Sequence, residues 1–253
     1  MGTGAPELLA FRRGYYDLLV SLLWREPPAP LLEELGAGIA ERAAGARGLH
    51  PALGAGWDAL AAALAAGPAA AVAEAAQDEY TALFVGPGVP RLHLYESYYL
   101  TGRLLDRPLA ELRAFLRGIG LERAERSAEP EDWLAFELDV MRRLLAREAA
   151  APATETGPRR AQADFLAGHL LVWGPTAGRD LAAAPEARLY RGVGLLLEGF
   201  LALERDLVRE WGGTEVGSLE AARRRFAGTG EWRGPRFDLA DSPPSGDPPR
   251  IRP

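Results

Sequence analysis

The sequence predicts an all-α fold, a single globular bundle of about ten helices. Three observations carry that expectation. Apolar residues recur at spacings of three and four along most of the chain, as they do in helices with one buried face. Val, Ile and Thr are few, and no stretch sustains the alternation of a half-buried strand. Glycine and proline fall in short clusters between the periodic stretches, where they end one helix and allow the next to turn away.

The elements follow in order. Residues 7–25 carry Leu8, Phe11, Tyr15, Leu18, Leu19, Leu22 and Leu23 on one stripe, and Pro27 and Pro28 stop that helix. A second helix is expected over 31–44 and a short Ala/Leu helix over 57–66, stopped by Gly67 and Pro68. A stronger one covers 69–85 and ends at Gly86, Pro87 and Gly88, before a surface loop at 89–94. Helices over 95–104 and 109–119 precede a polar connection at 120–128. Pro130 suits the first turn of a helix running to about 149, with Glu131 and Asp132 at its positive end. The small residues, Thr and Pro of 150–157 predict a mobile loop or hinge. Helices at 159–173, 176–183 and 187–211 follow, with a break at Gly174 and Pro175, and Ser218 caps a last helix ending near Ala227. One helical domain is therefore expected over 1–233, and a disordered tail rich in Pro, Ser, Gly and Asp over 234–253.

Composition narrows the function. With 29 basic and 35 acidic residues the formal charge is −6, which disfavours nucleic acid and suits a basic partner such as an arginine-bearing peptide. Every basic residue is Arg, so a phosphate-binding loop that needs Lys is excluded. The chain has no Cys, which removes disulfides, zinc thiolates and cysteine nucleophiles. His50, His93 and His169 are too far apart in sequence for a paired-His metal motif, and His169 reads as a packed residue within an apolar helical pattern. No enzyme, metal or cofactor is expected. The start of the chain lacks a basic segment followed by a long apolar run, and no stretch reaches the ~18 uninterrupted apolar residues of a membrane span. A cytoplasmic protein without membrane insertion is the expectation.

Two segments stand out. The first joins a helix end, a Gly/Pro turn and an aromatic cluster, and offers Tyr80, Leu83, Phe84 and Tyr95 as apolar surface with Glu79 and Glu96 at its edge. Plain core for the aromatics and a solvated face for the acids is the simpler reading of that spacing. The second is 129–141. Positions 133, 137, 140, 141 and 144 share one helical face, so Glu137 stands one turn beyond Trp133 among apolar residues. A carboxylate there must line a groove or meet a donor, because burial without a partner is costly.

The pattern E-Y-T-A-L-F-V-G-P at 79–87, Y-E-S-Y-Y at 95–99 and E-P-E-D-W-L-A-F-E-L-D-V-M at 129–141 resembles the TorD/DmsD/NarJ family of redox-enzyme maturation chaperones. The likeness extends over about 11–207, including a helix ending near Trp173, Gly174 and Pro175 and the long Leu-rich helix after it. The resemblance implies an all-helical, non-catalytic chaperone. Its partner would be the catalytic subunit of a molybdopterin-containing oxidoreductase, or that subunit's twin-arginine signal peptide, held until the cofactor is inserted. It implies Tyr80, Leu83, Phe84, Tyr95, Glu96, Asp132, Trp133 and Glu137 as peptide-binding residues, and either a monomer or a domain-swapped dimer. Trp133 stands where the family has His; it can pack against a peptide or stack on Arg, but it cannot titrate. An assembly factor for a non-exported enzyme and a permanent subunit of a redox complex share these features.

Overall fold

The computed structural model describes residues 5–86, 90–123, 129–152, 155–212 and 215–227. Among them every regular element is helical, and Tyr95 and Trp133 pair as an isolated β-bridge. The 234–253 tail lies outside the described residues, as do parts of the expected 89–94 loop, 120–128 connection and 150–157 hinge.

The helices are α1 (Ala5–Leu23), α2 (Ala29–Gly36), α3 (Ile39–Arg47), α4 (Pro51–Leu64), α5 (Ala69–Tyr80), α6 (Glu96–Thr101) and α7 (Arg107–Gly118). After them come α8 (Leu134–Ala150), α9 (Gly157–Phe165), α10 (Leu171–Ala183), α11 (Leu189–Glu210) and α12 (Leu219–Ala227). Single π-helical turns, Thr81–Val85 and Leu166–Leu170, extend α5 and join α9 to α10.

Several boundaries differ from the sequence expectation for local reasons. The helix expected over 31–44 is two helices, parted at Gly38, whose φ of +74° favours glycine. The short helix at 57–66 begins earlier, because His50 accepts the Ala52 N–H at 3.2 Å and Pro51 occupies the first turn. The long helix near 130 starts only at Leu134, so Pro130, Glu131 and Asp132 precede it as a turn. Gly174 and Pro175 do not break the chain: α10 runs straight through them. Proline 175 has no N–H for the Leu171 carbonyl four residues back, and Arg205 Nη2 donates to that oxygen at 2.8 Å instead. Ser218 does cap α12, accepting the Ala221 N–H at 3.1 Å.

The described residues fall into two compact units. The first gathers those of Met1–Trp24, Tyr95–Trp173 and Arg205–Pro253; the second those of Arg25–Leu94 and Gly174–Glu204. No division between units falls within 150–157, since both flanks of that segment belong to the first.

In the first unit α1 and α9 pack on α8, and α7 and α12 pack on α6. Its core includes Tyr16, Leu19, Leu22, Phe136, Met141 and Phe165, all at most 1% exposed. The α1 stripe is rotated from the expected one: Arg12 and Tyr16 are buried, while Phe11, Tyr15 and Leu18 are half-buried. Arg12 is tolerated inside because it donates to Gln162 at 2.7 Å and stacks 5.0 Å from the Trp211 ring.

In the second unit α4, α10 and α11 approach with little side chain between them. A methyl group added at Gly194 of α11 would lie 2.5 Å from the Gly178 carbonyl oxygen and 2.6 Å from the Ala182 nitrogen of α10. One added at Gly199 would lie 2.7 Å from the Leu53 nitrogen of α4. The helices touch through backbone, and these positions exclude any larger residue.

Candidate functional site

The first unit holds the most unusual chemistry of the molecule. Three carboxylates converge in its interior: Glu96 on α6, Asp132 in the turn before α8, and Glu137 one turn into α8. They are 2%, 0% and 0% exposed. The local backbone explains the gathering. Tyr95 and Trp133 pair as an isolated antiparallel bridge, and the Glu96 N–H donates to the Asp132 carbonyl at 2.8 Å. This short stitch sets the start of α6 against the start of α8. Asp132 Oδ2 accepts the Ser97 N–H at 3.1 Å, so the aspartate serves α6 rather than the N-terminus of its own helix.

Partners for these charges are few. His169 Nδ1 lies 3.1 Å from both Glu96 oxygens, with its ring among those of Phe115 and Phe165. The Trp173 indole N–H donates to Glu137 Oε2 at 3.2 Å. Among the described residues no basic side chain pairs with Asp132 or Glu137. Ser97 Oγ, Asp132 Oδ1 and Glu137 Oε1 are buried without a hydrogen-bond partner.

The electrostatics follow. Burial pushes Asp132 up to about 6, reinforced by the Glu96 charge and opposed by the backbone N–H and nearby hydroxyl of Ser97. Burial also pushes Glu137 well above the usual carboxylate range, and the charges of Glu96 and Asp132 add to it; the Trp173 bond only partly offsets them. Burial therefore favours the neutral carboxyl of Glu137 over its carboxylate. Because its folded value is raised, its stabilising contribution is full at low pH and is lost as pH rises above about 4.3. The wild-type chain is expected to lose stability through this group as pH rises above about 5, by at most about 1.4 kcal/mol per pH unit. Glu137→Gln keeps the Trp173 acceptor without the titration and should flatten the profile. Urea unfolding at pH 5, 6, 7 and 8 checks this; parallel profiles for the two proteins would rule Glu137 out as the group.

Of the eight residues expected to bind a peptide, the structure gathers Tyr95, Glu96, Asp132, Trp133 and Glu137 in the first unit. Tyr80, Leu83 and Phe84 lie in the second. The acids expected at a groove edge are interior instead. Trp133 is half-buried, with its ring 5.0 Å from that of Trp24. Tyr95 is also half-buried and donates its hydroxyl to Glu129 at 2.7 Å. Glu131 is held by Arg113 at 2.7 Å and Arg123 at 3.7 Å.

In the second unit Leu83 is fully buried, and Tyr80 and Phe84 pack edge-on to one another and against Tyr190. Glu79, expected at a surface edge, is 8% exposed and accepts the N–H groups of Arg188, Leu189 and Tyr190 at 2.7–3.1 Å. It caps α11 across the unit. Burial nonetheless raises its pKa, the three N–H bonds opposing it.

Ser97, Trp173 and Trp24 are members of the first unit's cluster that were not among the expected site residues, and His169, read as a packed residue, joins them beside Glu96. The apolar pattern around His169 and Trp173 signalled burial correctly, but not what either would meet. No group of His, Cys, Asp or Glu among the described residues is arranged to hold a metal.

The model of a family described as nitrate reductase delta subunit matches residues 46–177, a window that contains all eight expected site residues as well as His169 and Trp173. A perchlorate reductase assembly chaperone protein of Dechloromonas aromatica (strain RCB) is 32% identical over 124 residues, 48% of this chain and 55% of the relative. Chaperone protein TorD of Vibrio cholerae (serotype O1, El Tor Inaba N16961) is 29% identical over 119 residues, 46% of this chain and 54% of the relative. The chain spans about half the length of the curated relatives it matches. No solved structure gives a significant match.

Proposed function

The chain belongs to the nitrate reductase delta subunit family, and we propose that it is a non-catalytic, cytoplasmic chaperone for assembly of a molybdopterin-containing oxidoreductase. It holds the apo-subunit, or a twin-arginine signal peptide on it, until the cofactor is in place. Two relatives named as chaperones support the role. Among the described residues no single helix is long and apolar enough to cross a membrane.

The observation that carries the reading is the carboxylate cluster beneath two half-buried aromatics. Glu96, Asp132 and Glu137 put more acceptors in the first unit's interior than its donors satisfy. Natural sequences hold such groups against a stability cost when something outside uses them. A peptide bearing guanidinium groups beside an apolar stretch supplies what is missing: positive charge close to the buried acids, and a planar cation and alkyl surface for Trp133 and Tyr95. The contact surface is accordingly assigned to Tyr95 and Trp133 with the three acids behind them. Leu83, Tyr80 and Phe84 act through the packing of the second unit.

Charge reversal of interior acids would disrupt the core, so the test uses isosteres. A peptide with two arginines before an apolar segment should bind the full chain, and less tightly as salt rises. Asp132→Asn and Trp133→Ala should each weaken it about tenfold while melting cooperatively. Equal affinity for a control peptide with two glutamines in place of the arginines would sink the assignment. The family description favours a second reading, a subunit that remains in its complex. Stoichiometric co-purification with the finished oxidoreductase supports that reading; capture of the apo-subunit alone supports the chaperone.

A further inference from the structure

We propose that the interior carboxylates of the first unit form a proton store: a cationic side chain docking beside Trp133 drives one proton from the Glu137 carboxyl into solvent. The inference rests on the proposed cation-binding role of that surface and adds its regulation.

The charge inventory around Glu137 isolates it. On its own helix, Asp139 is held by Arg142 at 2.7 Å and Arg143 at 3.1 Å, and Arg142 also meets Asp17 of α1. Further along, Glu148 is met by Arg159 of α9 and, at 3.9 Å, by Arg12 of α1. On α9, Arg160 pairs with Asp164. In the turn before α8, Glu131 is satisfied by Arg113 and Arg123, and Glu129 accepts from Tyr95. The π-helical turn packed on α8 contributes His169, which faces Glu96. The bases around the cluster are therefore engaged elsewhere, and Glu96, Asp132 and Glu137 share one imidazole, one indole N–H and the N–H and hydroxyl of Ser97, which serve Asp132. Three carboxylates in one dry space cannot all ionise, so a proton remains on one of them. Glu137 is fully buried, its one side-chain donor is the Trp173 indole, and its Oε1 has no partner.

An arriving guanidinium changes that balance without entering the core. Trp133 lies between Asp132 in sequence and Glu137 one turn on, and its carbonyl accepts the Glu137 N–H at 3.0 Å. A unit charge within about 7 Å, at an effective dielectric near 20, favours the carboxylate by more than one pH unit. The bond broken is the Glu137 O–H; the proton goes to solvent, and the new negative charge is balanced by the docked cation. Affinity must then rise with pH, since protons compete with the ligand.

Titration calorimetry of the full chain tests this. The probe is a peptide of two arginines followed by six apolar residues, titrated at pH 6.5 in Pipes and in Aces, which differ in heat of ionisation. The expected result is a net proton release of up to about three-quarters per peptide, with affinity rising by up to about sixfold per pH unit within the pH 6 to 7.5 range. In Glu137→Gln the release and the pH dependence should both fall sharply, to the smaller part that Asp132, at about 6, supplies. Binding by the wild type with no proton exchanged, or undiminished release from Glu137→Gln, overturns the proposal and leaves the binding role intact. A peptide that fails to bind at any pH overturns the binding role and the proton store with it.

Discussion

Replacing Glu79 with alanine is expected to destabilise the chain by about 3–5 kcal/mol, a large part of the total stability of a domain this size. The carboxylate is the acceptor for three successive N–H groups, of Arg188, Leu189 and Tyr190, where α11 begins. Leu189 and Tyr190 are 2% and 0% exposed, so water cannot replace the lost oxygens. An ordinary helix cap satisfies one or two such donors at about 0.5–2 kcal/mol; this one satisfies three from a distant helix. Glu79→Gln should lose a smaller part, because its amide oxygen can still accept the Arg188 and Tyr190 N–H groups while its NH2 group faces the Leu189 N–H donor to donor. Urea unfolding measures the loss, and amide exchange at 188–190 locates it. An alanine variant within about 1 kcal/mol of wild type would show that α11 is started by something else.

The second large effect is expected at Gly194. An alanine methyl there would sit 2.5 Å from one backbone atom of α10 and 2.6 Å from another. A side chain could swing away; a helix backbone cannot. The two helices must part, opening the contact through which α11 meets α10, at a cost of about 3 kcal/mol or more. The gain of up to about 1 kcal/mol in helix propensity does not offset it. Gly14→Ala in α1 is the internal control. Gly14 is exposed, with nothing within 4 Å of the added carbon, so propensity acts alone and the variant should be unchanged or slightly more stable. Thermal unfolding of both variants decides the matter; similar midpoints would mean that the close approach does not constrain the helices.

The residues show why some features were legible in sequence and others were not. Helix identity depends on neighbours three and four apart, so α1, α7 and α11 could be read directly. Glu137 was conspicuous for the same reason, as a lone carboxylate on an apolar face, and it is buried. Whether that acid met a groove or a donor depended on Trp173, which local periodicity cannot reach. Pro175 failed the local rule because its stranded carbonyl is served by Arg205, thirty-four residues beyond Leu171. Gly194 read only as a weak helix former, since a close approach has no meaning until the opposing helix is known. Glu79 read as a surface acid because its three donors lie more than a hundred positions downstream. In each case the missed signal was a partner remote in sequence.

The division of each unit among separated stretches also bears on how the protein is made. On a ribosome α1 emerges well before α8, and the faces of Tyr16, Leu19 and Leu22 that α8 covers have no such cover until the chain from Leu134 has been synthesised. The Arg25–Leu94 portion waits in turn for Gly174–Glu204, which brings the helix that Glu79 caps and the glycines on which α4 closes. Neither unit can be completed before the chain has grown past Glu204. Until then the nascent polypeptide shows sticky helical surface to everything around it, so a protein proposed to shelter another's unfinished form passes through a vulnerable infancy of its own.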